Sequence, residues 1–156
     1  MSSRSLIEIF LQFPSQVKLY HWQTTSYPRH KASDSLVSGI QELIDQFVET
    51  YQGKYQRIYL KSDTRPRGAV ERLASLESPL GTRSDTRGRA PTEQSDTTIP
   101  IYDLNDRNIV AYLEEFKTFL RNDIFQIIKE SDTDLINIRD EMLSLINQTL
   151  YLFTLA

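Results

Sequence analysis

Two histidines and three acids in one short stretch carry the chemistry that this sequence offers. His21, beside Trp22, is followed by His30, Asp34, Asp45 and Glu49. At about 100° per residue, with His30 as zero, Asp34, Asp45 and Glu49 fall at roughly 40°, 60° and 100°, so the four share one side of a helix. Along the axis, however, Asp34 and Asp45 stand about 16 Å apart at about 1.5 Å per residue, too far for one metal ion. Two antiparallel copies of the helix remove that difficulty. His30 with Glu49, and Asp34 with Asp45, have the same midpoint, between Gly39 and Ile40. A two-fold axis there sets His30 against the partner's Glu49 and Asp34 against the partner's Asp45, making two equivalent sites. Gly39 is expected to let the two helices approach closely. Imidazole with carboxylates suits iron, manganese or zinc, and redox chemistry favours iron. The Glu-x-x-His pattern of di-iron sites inside one bundle is absent from the sequence. Taken singly, His21–Trp22 also reads as a packed helix end, and Asp45 with Glu49 as a solvated face.

The elements that must position these residues are helical. Leu6, Phe10, Phe13, Val17 and Tyr20 recur at three- and four-residue spacing, a first helix that Pro14 should kink or restart near Ser15. The pattern stops at Thr24–Pro28, where Pro28 biases Tyr27 to extended backbone. A second helix opens between Pro28 and Ser33, with an inward stripe of Leu36, Ile40, Leu43, Ile44, Phe47, Val48 and Tyr51, and reaches towards Tyr59. Tyr51, Tyr55 and Tyr59 share a face and read as packing rather than as electron relays. From about 62 to 100 the chain is rich in Gly, Pro, Ser, Thr, Asp and Arg and is expected to be a flexible loop, with a helical hint at Ala69–Leu73. Arg83, Arg87 and Arg89 in that loop are interleaved with acids and read as solvated, with a phosphate-binding loop as the alternative. Asn105 or Asp106 can cap a third helix with the face Ile109, Leu113, Phe116, Leu120, Ile124 and Ile127. Ser131 or Asp132 can cap a fourth, with Leu135, Ile138, Met142, Leu145 and Ile146 inward and Leu150 and Phe153 extending the stripe. Four amphipathic helices with one long link predict an all-α four-helix bundle, a single domain over residues 1–156.

Composition bounds the rest. The 156 residues hold 39% hydrophobic and 25% charged side chains, ordinary for a soluble domain with a real core. The sequence contains no cysteine, which excludes disulfides, thiolate metal sites and thiol catalysis. No apolar run has the length of a membrane span, and the start of the chain does not resemble a cleaved leader. A cytoplasmic location is the expectation. The formal charge of −3 offers no strong general attraction for nucleic acid.

The segment from His21 to Glu49 resembles the ferroxidase segment of Dps-type miniferritins. In that family a His-Trp pair ends the first helix, and the second carries His-x3-Asp, ten residues, then Asp-x3-Glu. Here these are His21–Trp22, His30-x3-Asp34 and Asp45-x3-Glu49. The resemblance covers about the first third of the chain; the remainder agrees in helix order. It implies a ferritin-like bundle with its crossover in the 62–100 loop, assembled as two-fold dimers within a shell that is usually dodecameric. It further implies Fe(II) held by His21, His30 and Asp34 of one subunit and by the partner's Asp45 and the partner's Glu49. Oxidation by peroxide or dioxygen and storage of the ferric mineral would follow, protecting against oxidative damage. Trp22 then has a redox-protective reading beside a core one. Two departures stand out. The spacing from His21 to His30 is short, which puts the reach of His21 in question, and the Lys-rich tail that some members use on DNA is missing, so DNA binding is not expected. A Dps-like shell or dimer without ferroxidase activity is the alternative.

Overall fold

The computed structural model describes residues 3–58 and 101–156, and everything below concerns these. They form four α-helices and no strand: α1 (Ser3–Gln23), α2 (Tyr27–Lys54), α3 (Ile109–Arg121) and α4 (Thr133–Phe153). A 3-10 turn, Asp123–Gln126, follows α3. None of these helices is long and apolar enough to cross a membrane. The 62–100 stretch, with its helical hint and its arginines, lies outside the described residues, as does Tyr59.

α1 is one uninterrupted helix from Ser3, not a helix restarting near Ser15. Pro14 removes the amide that would bond the Phe10 carbonyl, a loss that usually bends or ends a helix. Tertiary burial outweighs it here. Leu6, Phe10, Phe13, Val17 and Tyr20 lie fully buried on both sides of Pro14 as one stripe. Phe10 meets Phe47 of α2 edge-on at 5.4 Å, and Phe13 stacks on Phe116 of α3 at 3.6 Å between ring centroids. The Ser15 hydroxyl donates to the Leu11 carbonyl at 2.9 Å.

α2 begins at Tyr27, one residue ahead of Pro28. Ser26 is the extended residue, and its hydroxyl accepts from the Arg29 amide across the first turn. Pro28 costs no hydrogen bond there, because first-turn amides lack helical partners. The helix stops at Lys54, just after Gly53, and so falls short of Tyr59. Leu36, Ile40, Phe47 and Tyr51 are buried, with Leu43, Ile44 and Val48 partly so. α2 is the central element, packing against both α1 and α4.

Caps in the second half differ from expectation. α3 starts at Ile109, and the Asp106 carboxylate turns away to Tyr20 and Thr24. The inward stripe continues past Arg121 to Ile124, but the backbone tightens into the 3-10 turn, so Ile124 and Ile127 do not extend α3. Asp132 does stand at the N-cap of α4, yet its carboxylate bonds no amide of that helix. It accepts instead from the Lys129 amide at 2.8 Å, the Tyr55 hydroxyl and the Lys54 ammonium at 3.0 Å. The end of α2 is thereby tied to the start of α4.

Candidate metal centre

The last turn of α1 and the first turns of α2 are joined by only three residues, Thr24–Ser26. That short link folds His21 and His30 onto each other. Their rings stack with centroids 3.9 Å apart and 23° between planes. Each ring also bonds the other's backbone: His21 Nδ1 lies 2.9 Å from the His30 carbonyl, and His30 Nδ1 lies 2.9 Å from the His21 carbonyl. A carbonyl only accepts, so each Nδ1 must carry the proton. In the neutral rings, Nε2 is then the lone-pair nitrogen of both. The local cause is the helix end, where the last carbonyls of α1 lack helical partners and the His30 ring supplies one. Ser33, fully buried, donates its hydroxyl to the His30 carbonyl at 3.1 Å and lies 3.4 Å from His21 Nδ1.

His21 is 7% exposed, and its Nε2 lies 3.7 Å from an Asp34 carboxylate oxygen. The same oxygen is 3.0 Å from the Lys18 ammonium. Lys18 holds the Asp34 carboxyl below the ordinary carboxylate range, by hydrogen bond and by charge. His21, His30 and Asp34 are thus brought together in one chain, the short link notwithstanding. Asp45 and Glu49 are not with them. Both are exposed, three to four turns further along α2. Among the described residues, no three His, Asp or Glu side chains of a single chain form a ready metal cage.

Two expectations need correction. Gly39 does not serve the close approach of two α2 helices. Nine residues from His30 is half a turn off, and by the same count Gly39 lies about 80–140° from the three acids, off the face they share. A Cβ built there would stand 2.8 Å from Leu145 of α4, within the same chain. Trp22 is no core residue of the single chain either, since it is 67% exposed. Lys18 is the residue that the sequence reading passed over. It precedes His21 by three positions, and that helical spacing alone would have put it beside the site.

A second carboxylate steadies this corner. Asp106 accepts from the buried Tyr20 hydroxyl at 2.6 Å and from Thr24 Oγ at 2.8 Å, while its backbone carbonyl takes the Arg29 guanidinium at 2.9 Å. Tyr20 and Thr24 flank His21, and Arg29 immediately precedes His30. The Tyr20 bond holds Asp106 below the usual carboxylate range, and burial with that same bond raises the Tyr20 phenol. The loop before α3 therefore splints the link between α1 and α2 from outside.

Residues 21–81 match a family described as a family of unknown function (DUF5856), and all five candidate ligands fall inside that stretch. Over 42 residues the chain is 48% identical to an uncharacterized 14.6 kDa protein in the mobD-ri intergenic region of Enterobacteria phage T4. The similarity takes in 27% of this chain and 33% of the phage protein, so the chain matches about a third of that relative's length. No solved structure matches.

Proposed function

We propose that the chain is a Dps-type miniferritin, a ferritin-like four-helix bundle that takes Fe(II) as substrate between two-fold-related subunits. His21, His30 and Asp34 hold the metal from one chain, and the partner's Asp45 and the partner's Glu49 complete the set. The observation that carries the reading is the reciprocal pairing of the two histidines. It fixes both rings in one tautomer and leaves Nε2 as the lone-pair nitrogen of each, as in metal-binding histidines whose other nitrogen donates to a carbonyl.

What these residues do follows from their chemistry. The imidazoles favour iron over calcium or magnesium, and the carboxylates stabilise the ferric product. Each Fe(II) yields one electron, so hydrogen peroxide, which takes up two electrons and two protons as its O–O bond breaks to give two waters, would consume two ferrous ions. Ferric mineral then collects inside the closed shell, dodecameric in this reading, and the exposed indole of Trp22 is available to intercept a stray oxidant.

The exposure of Asp45 and Glu49 makes a clean test available. Asp45→Ala with Glu49→Ala should lower the initial rate of Fe(II) oxidation at least tenfold, with helicity by circular dichroism unchanged. Oxidation at the parental rate in the folded double variant would sink the assignment. A second reading, a Dps-like shell or dimer without ferroxidase activity, is favoured by Lys18, whose ammonium already occupies Asp34. Anaerobic Fe(II) titration separates the two, because only the first gives a stoichiometric site.

A further inference from the structure

The outward face of α2 sets a condition on how two copies meet. Every exposed residue of α2 between Lys31 and Glu49 is polar or charged: lysine, serine, glutamine, aspartate or glutamate, with no apolar side chain among them. The apolar side is already used, with Leu36, Ile40 and Phe47 buried in the chain's own core. A second α2 laid on this stretch meets no exposed apolar side chain, so the hydrophobic effect gives the helix–helix contact itself little; the exposed Trp22 and Tyr27 lie ahead of it in the chain. Charge works against it as well. About the midpoint between Gly39 and Ile40, Asp34 meets the partner's Asp45. With the partner's Glu49, three carboxylates would converge at each site, and among the described residues Lys18 is the one ammonium paired with any of them. Closest to the axis the face offers Ser38 and Gln41, both exposed and related by that same midpoint. These can hydrogen-bond across the axis but supply no driving force comparable with a packed core.

From this we infer that pairing through α2 is metal-dependent: the divalent cation is a structural element of the contact between two copies as well as the substrate held there. The inference rests on the site proposed above. Cation binding neutralises the excess carboxylate charge and joins ligands from both chains, so it stabilises the pair over the separated subunits by mass action. Metal supply then sets the population of complete sites, and the chain without metal stays apart along this face.

Sedimentation velocity on the full chain tests this, with Co(II) as a redox-inert probe and EDTA as the metal-free condition. The expected result is a mass at least twofold larger in Co(II) than in EDTA, reversed when EDTA is added back. Asp45→Asn with Glu49→Gln removes the partner's ligands, and its mass should not respond to Co(II). Equal masses with and without Co(II) in the parent overturn the inference, whether both are assembled or both monomeric. So does a Co(II)-driven rise that persists in the double variant. The Co(II) absorption spectrum distinguishes the two levels of failure. Bound Co(II) on a species assembled in both conditions leaves the proposed site standing and removes only the linkage, whereas Co(II) bound to a monomer, or no bound Co(II), removes the inter-subunit site itself.

Discussion

At the scale of single residues, the candidate centre is organised by hydrogen bonds to backbone. Both imidazoles are oriented by main-chain carbonyls, so their aim follows from the path of the chain more than from neighbouring side chains. Asp34 is different, because its partner is a mobile ammonium. Lys18 stabilises the carboxylate, and in the proposed site it would have to yield Asp34 to a bound cation. Exposed pairs of this kind are worth little. Lys18→Met should therefore tighten Co(II) binding by only roughly two- to fivefold, read by anaerobic titration. Weaker binding in that variant would mean that Lys18 helps to hold the metal set in place. The histidine and acid spacing was readable from the sequence, since it follows helical geometry. The stacking of the two rings was not, because it depends on a link of three residues whose path no periodicity encodes.

At the scale of elements, apolar stripes were the readable part. The stripes Leu6 to Tyr20, Leu36 to Tyr51 and Leu135 to Phe153 are buried, or partly so at Leu43, Ile44, Val48, Leu145 and Leu150, as their three- and four-residue spacing implies. Their interruptions were not readable. Pro14 is a strong local breaker overridden by aromatic packing on both sides, and the change of pitch after Arg121 leaves the apolar spacing of Ile124 in place. Gly39 shows the same limit, since its role is set by a neighbour more than a hundred residues away. Gly39→Leu drives side-chain bulk into α4 at Leu145, and overpacking of this kind typically costs about 1–3 kcal/mol. Chemical denaturation should report that loss in a single chain held in EDTA. A variant of unchanged stability but altered assembly would restore Gly39 to the contact between copies. Gly39→Ala should be milder, because the Leu145 methyl can shift and alanine favours the helix by about 1 kcal/mol.

At the scale of the whole molecule, two aspartates from the second half of the chain hold the two ends of α2 and the link that leads into it. Asp106 acts at the start through Arg29, Tyr20 and Thr24, and Asp132 at the end through Lys54 and Tyr55. Asp132 is 3% exposed, and its carboxyl is held down to about 2, first by the Tyr55 hydroxyl and then by the Lys129 amide. A carboxyl whose pKa is depressed in the folded state contributes stability above its unfolded value of about 4. That contribution disappears as pH falls from about 4 through about 2. The midpoint of thermal unfolding should drop across this window, and Asp132→Asn should flatten the drop while lowering the midpoint at neutral pH. An identical acid profile in the variant would show that other carboxylates govern it. Neither grip was foreseen, since both acids sit where a sequence reading assigns helix caps, and only the folded chain shows that more distant partners claim them.

The reciprocal histidine pair closes a ring of nine residues, whereas the Tyr20–Asp106 bond closes one of 86. Loop-closure entropy grows with the logarithm of length, so the shorter ring forms at an advantage of about 2 kcal/mol. The α1–α2 hairpin is therefore the part of this fold that the chain can close cheaply and early. In a ribosome's terms, every group of the reciprocal histidine pair, and Asp34 beside it, is synthesised before α3 and α4 exist.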